Sequence, residues 1–262
     1  MCRWAAWIGA PVFLEHLVSH PGHSLIRQSQ HAAECKTEVN ADGFGVAWYG
    51  ERDEPGLFRD VLPAWSDPNL RSLAAQVRSR LFLAHVRAST GTATSRNNCH
   101  PFVVGRWSFM HNGQIGGFGG FRRSAEMLVP DDLYPHRQGA TDSELLFLRA
   151  LAHGLDKDPC QALARAVADL EHLARQKGAA PHFRCAAALS DGARLFVLRY
   201  SSDQRSPTLY HCWDSNKRGR SVVSEPLEGS DGWHAIAEGS LTIFEGEGIT
   251  VLPFAPFLQQ AA

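Results

Sequence analysis

The order of segments in this chain predicts an α+β fold in which sheets and helices pack as separate layers. Short apolar runs of strand character, broken by brief helical pieces, extend to Met110; two helical segments follow between Thr141 and Gly178; strand-like runs and turns then alternate from Phe183 to Leu252. Strands, then a pair of helices, then strands is the block order of layered sheets, not the strand–helix alternation of a parallel fold. With neither repeat nor linker in view, a single domain over residues 2–262 is expected.

Arg3 to Ile8 is an apolar run of strand character ended by Gly9-Ala10-Pro11, and Val12 to Val18 fits a short helix closed by Pro21-Gly22. His31 to Val39 is polar and reads as loop. The turn residues Asn40-Ala41-Asp42-Gly43 lead into an aromatic-rich strand, Phe44 to Tyr49. Asp67 to Arg80 carries Leu70, Leu73, Ala74 and Val77 at helical spacing, with Asp67-Pro68 as N-cap and first helical position. Leu81 to Val86 is too short for a helix and reads as a buried strand. Val103 to Met110 is another strand, turning at Gly105-Arg106. Gly116 to Gly120 reads as a flexible lid or turn, because it lacks the strand–GxGxxG–helix setting of a dinucleotide site. Thr141 and Glu144 stand at capping-box spacing before a helix with Leu145, Leu148, Ala152 and Leu155 on its apolar face. A second helix follows Pro159 and stops near Gly178. Strands are expected at Phe183–Leu189, Leu195–Arg199, Leu209–Trp213, Ser221–Ser224, Leu241–Glu245 and Ile249–Leu252, the first two joined in a hairpin at Asp191-Gly192.

The 262 residues are 44% hydrophobic and 20% charged, ordinary globular usage. A net charge of −1 leaves no electrostatic footprint for nucleic acid. No run approaches the roughly 18 apolar residues of a membrane helix, and Glu15, His16 and His20 interrupt any signal-peptide core. Neither a nucleic-acid nor a membrane partner is therefore expected. The cysteines at 2, 35, 99, 160, 185 and 212 form no CxxC pair, which favours reduced thiols and a cytoplasmic address.

The most informative feature is Met1-Cys2-Arg3. Cysteine is small enough for methionine aminopeptidase to remove Met1, leaving Cys2 with a thiol and a free α-amine in one residue. The thiolate is a nucleophile, and an amine with a reference pKa of roughly 7.7–8.0 can act as its base. The plainer reading is a cysteine buried in a first strand. Arg87 sits where a strand runs out into a small-residue loop; a guanidinium there suits a substrate carboxylate or, equally, a structural ion pair. Asn112-Gly113 can supply two oxyanion donors or be a simple hairpin turn. Asp142 opens a helix, where a carboxylate also favours the helix dipole. His85, Cys99, His100 and His111 match no standard zinc spacing, so neither metal nor cofactor is implied.

In order along the chain, Cys2, Asn40-Ala41-Asp42-Gly43-Phe44-Gly45, Ala84-His85-Val86-Arg87 with Thr90, Asn98-Cys99-His100-Pro101, His111-Asn112-Gly113 and Thr141-Asp142-Ser143-Glu144 resemble the class II, or N-terminal nucleophile, glutamine amidotransferases. The opening, with Trp7-Ile8-Gly9-Ala10-Pro11, is similar to the compact stand-alone branch that includes the γ-glutamyl hydrolase of ergothioneine biosynthesis. The resemblance implies a four-layer αββα sandwich, two antiparallel sheets between helical layers. It implies a glutaminase-type amidohydrolase that cleaves glutamine or a γ-glutamyl amide through a Cys2 thioester, releasing ammonia, to water or to an accepting partner protein, or an amine. Cys2 would attack, Asn112 and Gly113 would hold the oxyanion, Arg87 would bind the substrate carboxylate, Asp142 its ammonium, and Thr90 would line the pocket. Ala88 and Gly91 depart from the tryptophan and histidine common in the family synthases, which implies a more open γ end. The alternative is a non-catalytic amino-acid-binding or partner subunit that keeps the pocket.

Overall fold

A computed structural model describes residues 2–34, 38–89, 91–228 and 231–257. In chain order the elements are β1 (Arg3–Phe13), α1 (Glu15–Val18), α2 (Leu25–Gln30), β2 (Phe44–Trp48), β3 (Gly56–Asp60), α3 (Pro68–Gln76), β4 (Arg78–Val86), β5 (Phe102–Val104), β6 (Trp107–Ile115) and α4 (Phe118–Glu126). There follow α5 (Asp142–Ala152), α6 (Pro159–Gln176), β7 (Phe183–Ser190), β8 (Arg194–Ser201), β9 (Tyr210–Asp214), β10 (Gly219–Val223), β11 (His234–Ala235), β12 (Ser240–Glu245) and β13 (Gly248–Pro253). The strands form two antiparallel sheets, ordered β11-β9-β10-β1-β4-β2-β3 and β13-β12-β8-β7-β6-β5.

Period-2 alternation along the central strands creates the layers. On β1, Trp4, Ala6 and Ile8 face the second sheet and pack with Met110, Ala186, Ala188 and Val197. Ala5 and Trp7 face outward, against Leu14, Leu17, Leu25 and Leu70 of the first helical layer. On the far side, Phe109, Ala187 and Leu198 pack under Leu145, Leu148, Val167 and Leu170 of α5 and α6. The result is the expected four-layer αββα sandwich. The indole N–H of Trp4 donates to the Ala186 carbonyl at 3.2 Å, tying the two sheets together immediately beside Cys2.

Several local expectations need correction. Gly9 does not end β1: the strand bulges between Ile8 and Val12 and continues to Phe13, with Gly9 pressed so closely on Gly219 that a Cβ would strike its backbone. The helical piece after it is only Glu15–Val18, and α2, β3 and β11 were not foreseen. The helix after Asp67 stops at Gln76, because Arg78–Val86 is captured by β1 and β2 as a central strand. The Gly116–Gly120 segment is only half a turn; from Phe118 it is helical. The strand expected to end at Met110 runs on through His111-Asn112-Gly113 to Ile115, paired with β7, which rules out the alternative of a hairpin turn at Asn112-Gly113. The caps fare better. Asp67 accepts from the Asn69 and Leu70 amides, and Thr141 from Glu144 N–H at 3.1 Å. The return half of the capping box is absent, since the Glu144 carboxylate accepts instead from Gln138 and Gly139 and pairs with Arg137.

Trp4 is fully buried. Trp4→Ala should cost about 3–5 kcal/mol, read as a lowered urea midpoint; an unchanged midpoint would show that the inter-sheet layer does not depend on it.

Candidate active site

Cys2 immediately precedes β1, and the register Arg3↔Val86 sets it beside the residues that follow β4. Its thiol lies 3.5 Å from the Ala88 carbonyl and accepts from the Ala88 N–H at 3.4 Å. Alternation puts Cys2 on the face of Trp4, between the sheets. Asn112 shares the inter-sheet face of Met110 on β6, so the two side chains approach the same space from opposite sheets. Burial pushes the Cys2 thiol up; the Ala88 hydrogen bond and the charges of Arg87 and Arg3 oppose it only in part. The thiol therefore needs a base to become a nucleophile.

A cavity of about 790 Å³ opens here, lined by Cys2, Arg87, Ala88, Asn112, Gly113 and Asp142, with the Gly116–Gly120 segment along one side. Asn112 is 1% exposed, and among the described residues neither its amide nitrogen nor its oxygen has a hydrogen-bond partner. A buried polar group left in that state costs about 1–3 kcal/mol, a cost that a hydrogen-bonding ligand in the cavity would relieve. Gly113 is obligatory for a separate reason: a Cβ there would run into the Arg184 carbonyl and crowd the His111 ring.

Arg87 is buried, and among the described residues every acceptor it finds is neutral. It donates to Asp42 O at 3.3 Å, Ser89 Oγ at 3.0 Å, Thr92 Oγ1 at 2.7 Å and Ala93 O at 3.4 Å. The guanidinium is thus fixed in place with no counter-ion among the described residues, an arrangement suited to a ligand carboxylate. Asp42 holds the loop that carries it: its carboxylate accepts from Ser89 N–H at 2.7 Å, and the backbones of residues 42–43 and 87 exchange bonds of 3.0 and 2.8 Å. Asp42, Ser89 and Thr92 are site residues that the sequence did not single out for these roles. Thr90 lies outside the described residues.

Asp142 accepts from Ile115 N–H and from its neighbour Ser143 N–H, both at 2.8 Å, so it pins the start of α5 to the end of β6 while lining the cavity. His111 bonds Ser143 Oγ at 2.8 Å and the Arg184 carbonyl at 3.3 Å. A carbonyl can only accept, which assigns the proton to Nε2 and leaves Nδ1 to accept from Ser143. His85 and His100 stack 4.3 Å apart behind the site, and His100 also lines it. Among the described residues no three His, Cys, Asp or Glu side chains converge as a metal ligand set, and Cys2, Cys99, Cys160, Cys185 and Cys212 are free. Cys35 lies outside the described residues.

A thiol at the head of a central strand, an amide that is unsatisfied among the described residues and an arginine with only neutral acceptors among them share one cavity. The family described as class II glutamine amidotransferases matches residues 24–211. The chain belongs to that family of enzymes. It is 46% identical to a protein of Silicibacter pomeroyi described as a glutamine aminotransferase class-II domain protein, whose structure superposes with a TM-score of 0.79, covering 97% of this chain and 100% of that one. It is 28% identical over 255 residues to the γ-glutamyl-hercynylcysteine sulfoxide hydrolase of Mycolicibacterium smegmatis, covering 97% of this chain and all of that one. It is 42% identical over 156 residues to the probable glutamine amidotransferase DUG3 of Saccharomyces cerevisiae, a match spanning 56% of this chain but 44% of the yeast protein. The glutamine phosphoribosylpyrophosphate amidotransferase of B. subtilis shares the fold at 12% identity, TM-score 0.66, over 98% of this chain and half of that one.

The three buried histidines at and behind the cavity give a pH prediction. Burial lowers all of them, His85 to about 3 and His100 well below its ordinary value, with His111 moved the same way against the pull of Asp142. In the unfolded chain they take protons near pH 6.5, in the folded chain only at lower pH. The stability they contribute is thus complete above about pH 6.5 and is lost as pH falls below it, by up to about 1.4 kcal/mol per pH unit for each histidine. Urea midpoints should fall between pH 7 and 5, and His85→Gln should flatten that slope; a slope the variant leaves unchanged would contradict the assignment.

Proposed function

We propose that this chain hydrolyses the γ-amide of glutamine or of a γ-glutamyl compound through a Cys2 thioester. The observation that carries this reading is the buried, unpartnered Asn112 amide facing the same cavity as the Cys2 thiol. Arg87 and Asp142, on different elements of that cavity, offer opposite charges for the carboxylate and ammonium of the glutamyl group. That bracket selects an α-amino acid and leaves its γ-carbonyl for Cys2.

Removal of Met1 frees the α-amine of Cys2. The amine takes the thiol proton and the thiolate attacks the carbonyl carbon of the γ-amide, breaking the carbonyl π bond and placing the negative charge on oxygen. Asn112 Nδ2–H and the Gly113 N–H hold that oxygen. The tetrahedral adduct collapses with loss of ammonia or amine, which takes the proton from the α-ammonium. Water, deprotonated by the same amine, then attacks the thioester, releasing glutamate and restoring the thiol. The volume of about 790 Å³, within the range of pockets that hold drug-sized ligands, leaves space beyond a glutamyl group for a substituted amine. The small residues Ala88 and Gly91, both lining the cavity, favour the same conclusion.

A substrate panel tests the reading: glutamine scored by ammonia release, bulky γ-glutamyl amides scored by amine release. Cys2→Ala should abolish turnover of every member, and activity surviving it would rule out the thioester. Asn112→Ala should lower kcat roughly 10²–10³-fold with KM little changed. Arg87→Lys should act mainly on KM, because an ammonium cannot reproduce the two-oxygen grip of a guanidinium; an unchanged KM would remove Arg87 from carboxylate binding.

A further inference from the structure

Directly behind the nucleophile lies an ion pair that the chemistry above does not use. The Arg3 side chain is 0% exposed. Its Nε donates back to the carbonyl of Cys2 at 2.9 Å, and its Nη1 reaches the Ser224 carbonyl at 3.2 Å and Glu225 Oε2 at 3.4 Å. Glu225, also buried, accepts from Ala33 N–H at 2.8 Å, Glu34 N–H at 3.0 Å and the His23 ring at 2.5 Å. Burial raises this carboxyl, but those donors and the Arg3 charge outweigh it and hold Glu225 below its ordinary value, so it is ionised.

Such a pair is not explained by stability. Taking two charges out of water is costly, and replacing a buried pair by apolar residues is often neutral or stabilising. Arg3 is not even fully satisfied, since its Nη2 has no partner among the described residues. What the pair does achieve is local. Once Met1 is gone, the α-amine of Cys2 ends the chain, and the carbonyl is the side of the residue that Arg3 anchors. A guanidinium clamped between that carbonyl and Glu225 fixes the plane of the Cys2–Arg3 peptide. It thereby fixes where the amine and thiol stand relative to Asn112 and Gly113. Ser224 works on the next residue: its hydroxyl accepts from Trp4 N–H at 2.9 Å, and its N–H donates to Trp4 O at 3.0 Å.

We propose that Arg3 and Glu225 are positioning residues for the N-terminal nucleophile, holding Cys2 by its carbonyl from the face opposite the cavity. The proposal rests on the Cys2 reading above. Neither residue lines the cavity, so substrate binding should be indifferent to them.

The test compares wild type with Glu225→Gln, Arg3→Lys, Arg3→Met and the charge-neutral double variant Arg3→Met with Glu225→Gln. All are assayed on the best γ-glutamyl amide of the panel, with rates normalised to sites titrated by a glutamine-analogue electrophile. Normalisation removes misfolded protein from the comparison. Per titrated site, Glu225→Gln and the double variant should lose kcat roughly ten- to a hundredfold with KM within about twofold, and Arg3→Lys should recover part of what Arg3→Met loses. The double variant should keep a wild-type urea midpoint, separating positioning from stability. Unchanged kcat per site in Glu225→Gln and the double variant, or a loss confined to KM, would overturn the proposal while leaving the thioester reading intact. Wild-type turnover that survives Cys2→Ala would instead overturn the thioester reading, and this proposal with it.

Discussion

The site depends on one constraint, the register between β1 and β4. Pairing Arg3 with Val86 places Cys2 against Ala88 and next to Arg87, and alternation then turns its side chain toward the second sheet. A slip of one residue would rotate every β1 side chain to the opposite face. Trp4 would leave the inter-sheet layer, and the residue before Arg3 would look into the helices. The register is therefore enforced by the same burial that builds the fold: Trp4, Ala6 and Ile8 on one face, Ala5 and Trp7 on the other.

From that placement the remaining groups follow as answers to separate physical problems. The second sheet supplies Asn112 on a strand rather than a loop, so the amide is carried by a backbone paired with β7. Gly113 follows because the Arg184 carbonyl leaves no room for a Cβ. Asp42 braces the loop after β4, which keeps a buried arginine at the cavity with only neutral acceptors among the described residues. Asp142 joins the layers by pinning α5 to β6, and lends the cavity its negative charge. Arg3 and Glu225 close the arrangement from behind.

Much of this was legible in the sequence where the signal is local. The Asp67 and Thr141 caps, the Asp191-Gly192 hairpin and the α5–α6 pair are set by residues a few positions apart. Local signals misled where a distant partner decides. Asn-Gly looks like a hairpin turn, yet β6 finds its partner in β7, far along the chain, and runs straight through it. Glycines at 119 and 120 argue against helix, but α4 is anchored by Phe121 and Ala125 in the core beneath it. Arg3 and Glu225 are 222 positions apart, and no spacing rule connects them. The candidate site residues were found because the family order of motifs supplied what single motifs do not; their supporting residues Asp42, Ser89 and Thr92 emerge only from the hydrogen bonds.

The most direct measurement is peptide mapping of protein treated with a glutamine-analogue diazoketone. The account predicts one label per chain, on a Cys2 that has lost Met1, with glutamine or a turned-over γ-glutamyl amide protecting it. A label on Cys99, or full turnover by chains that still carry Met1, would contradict it.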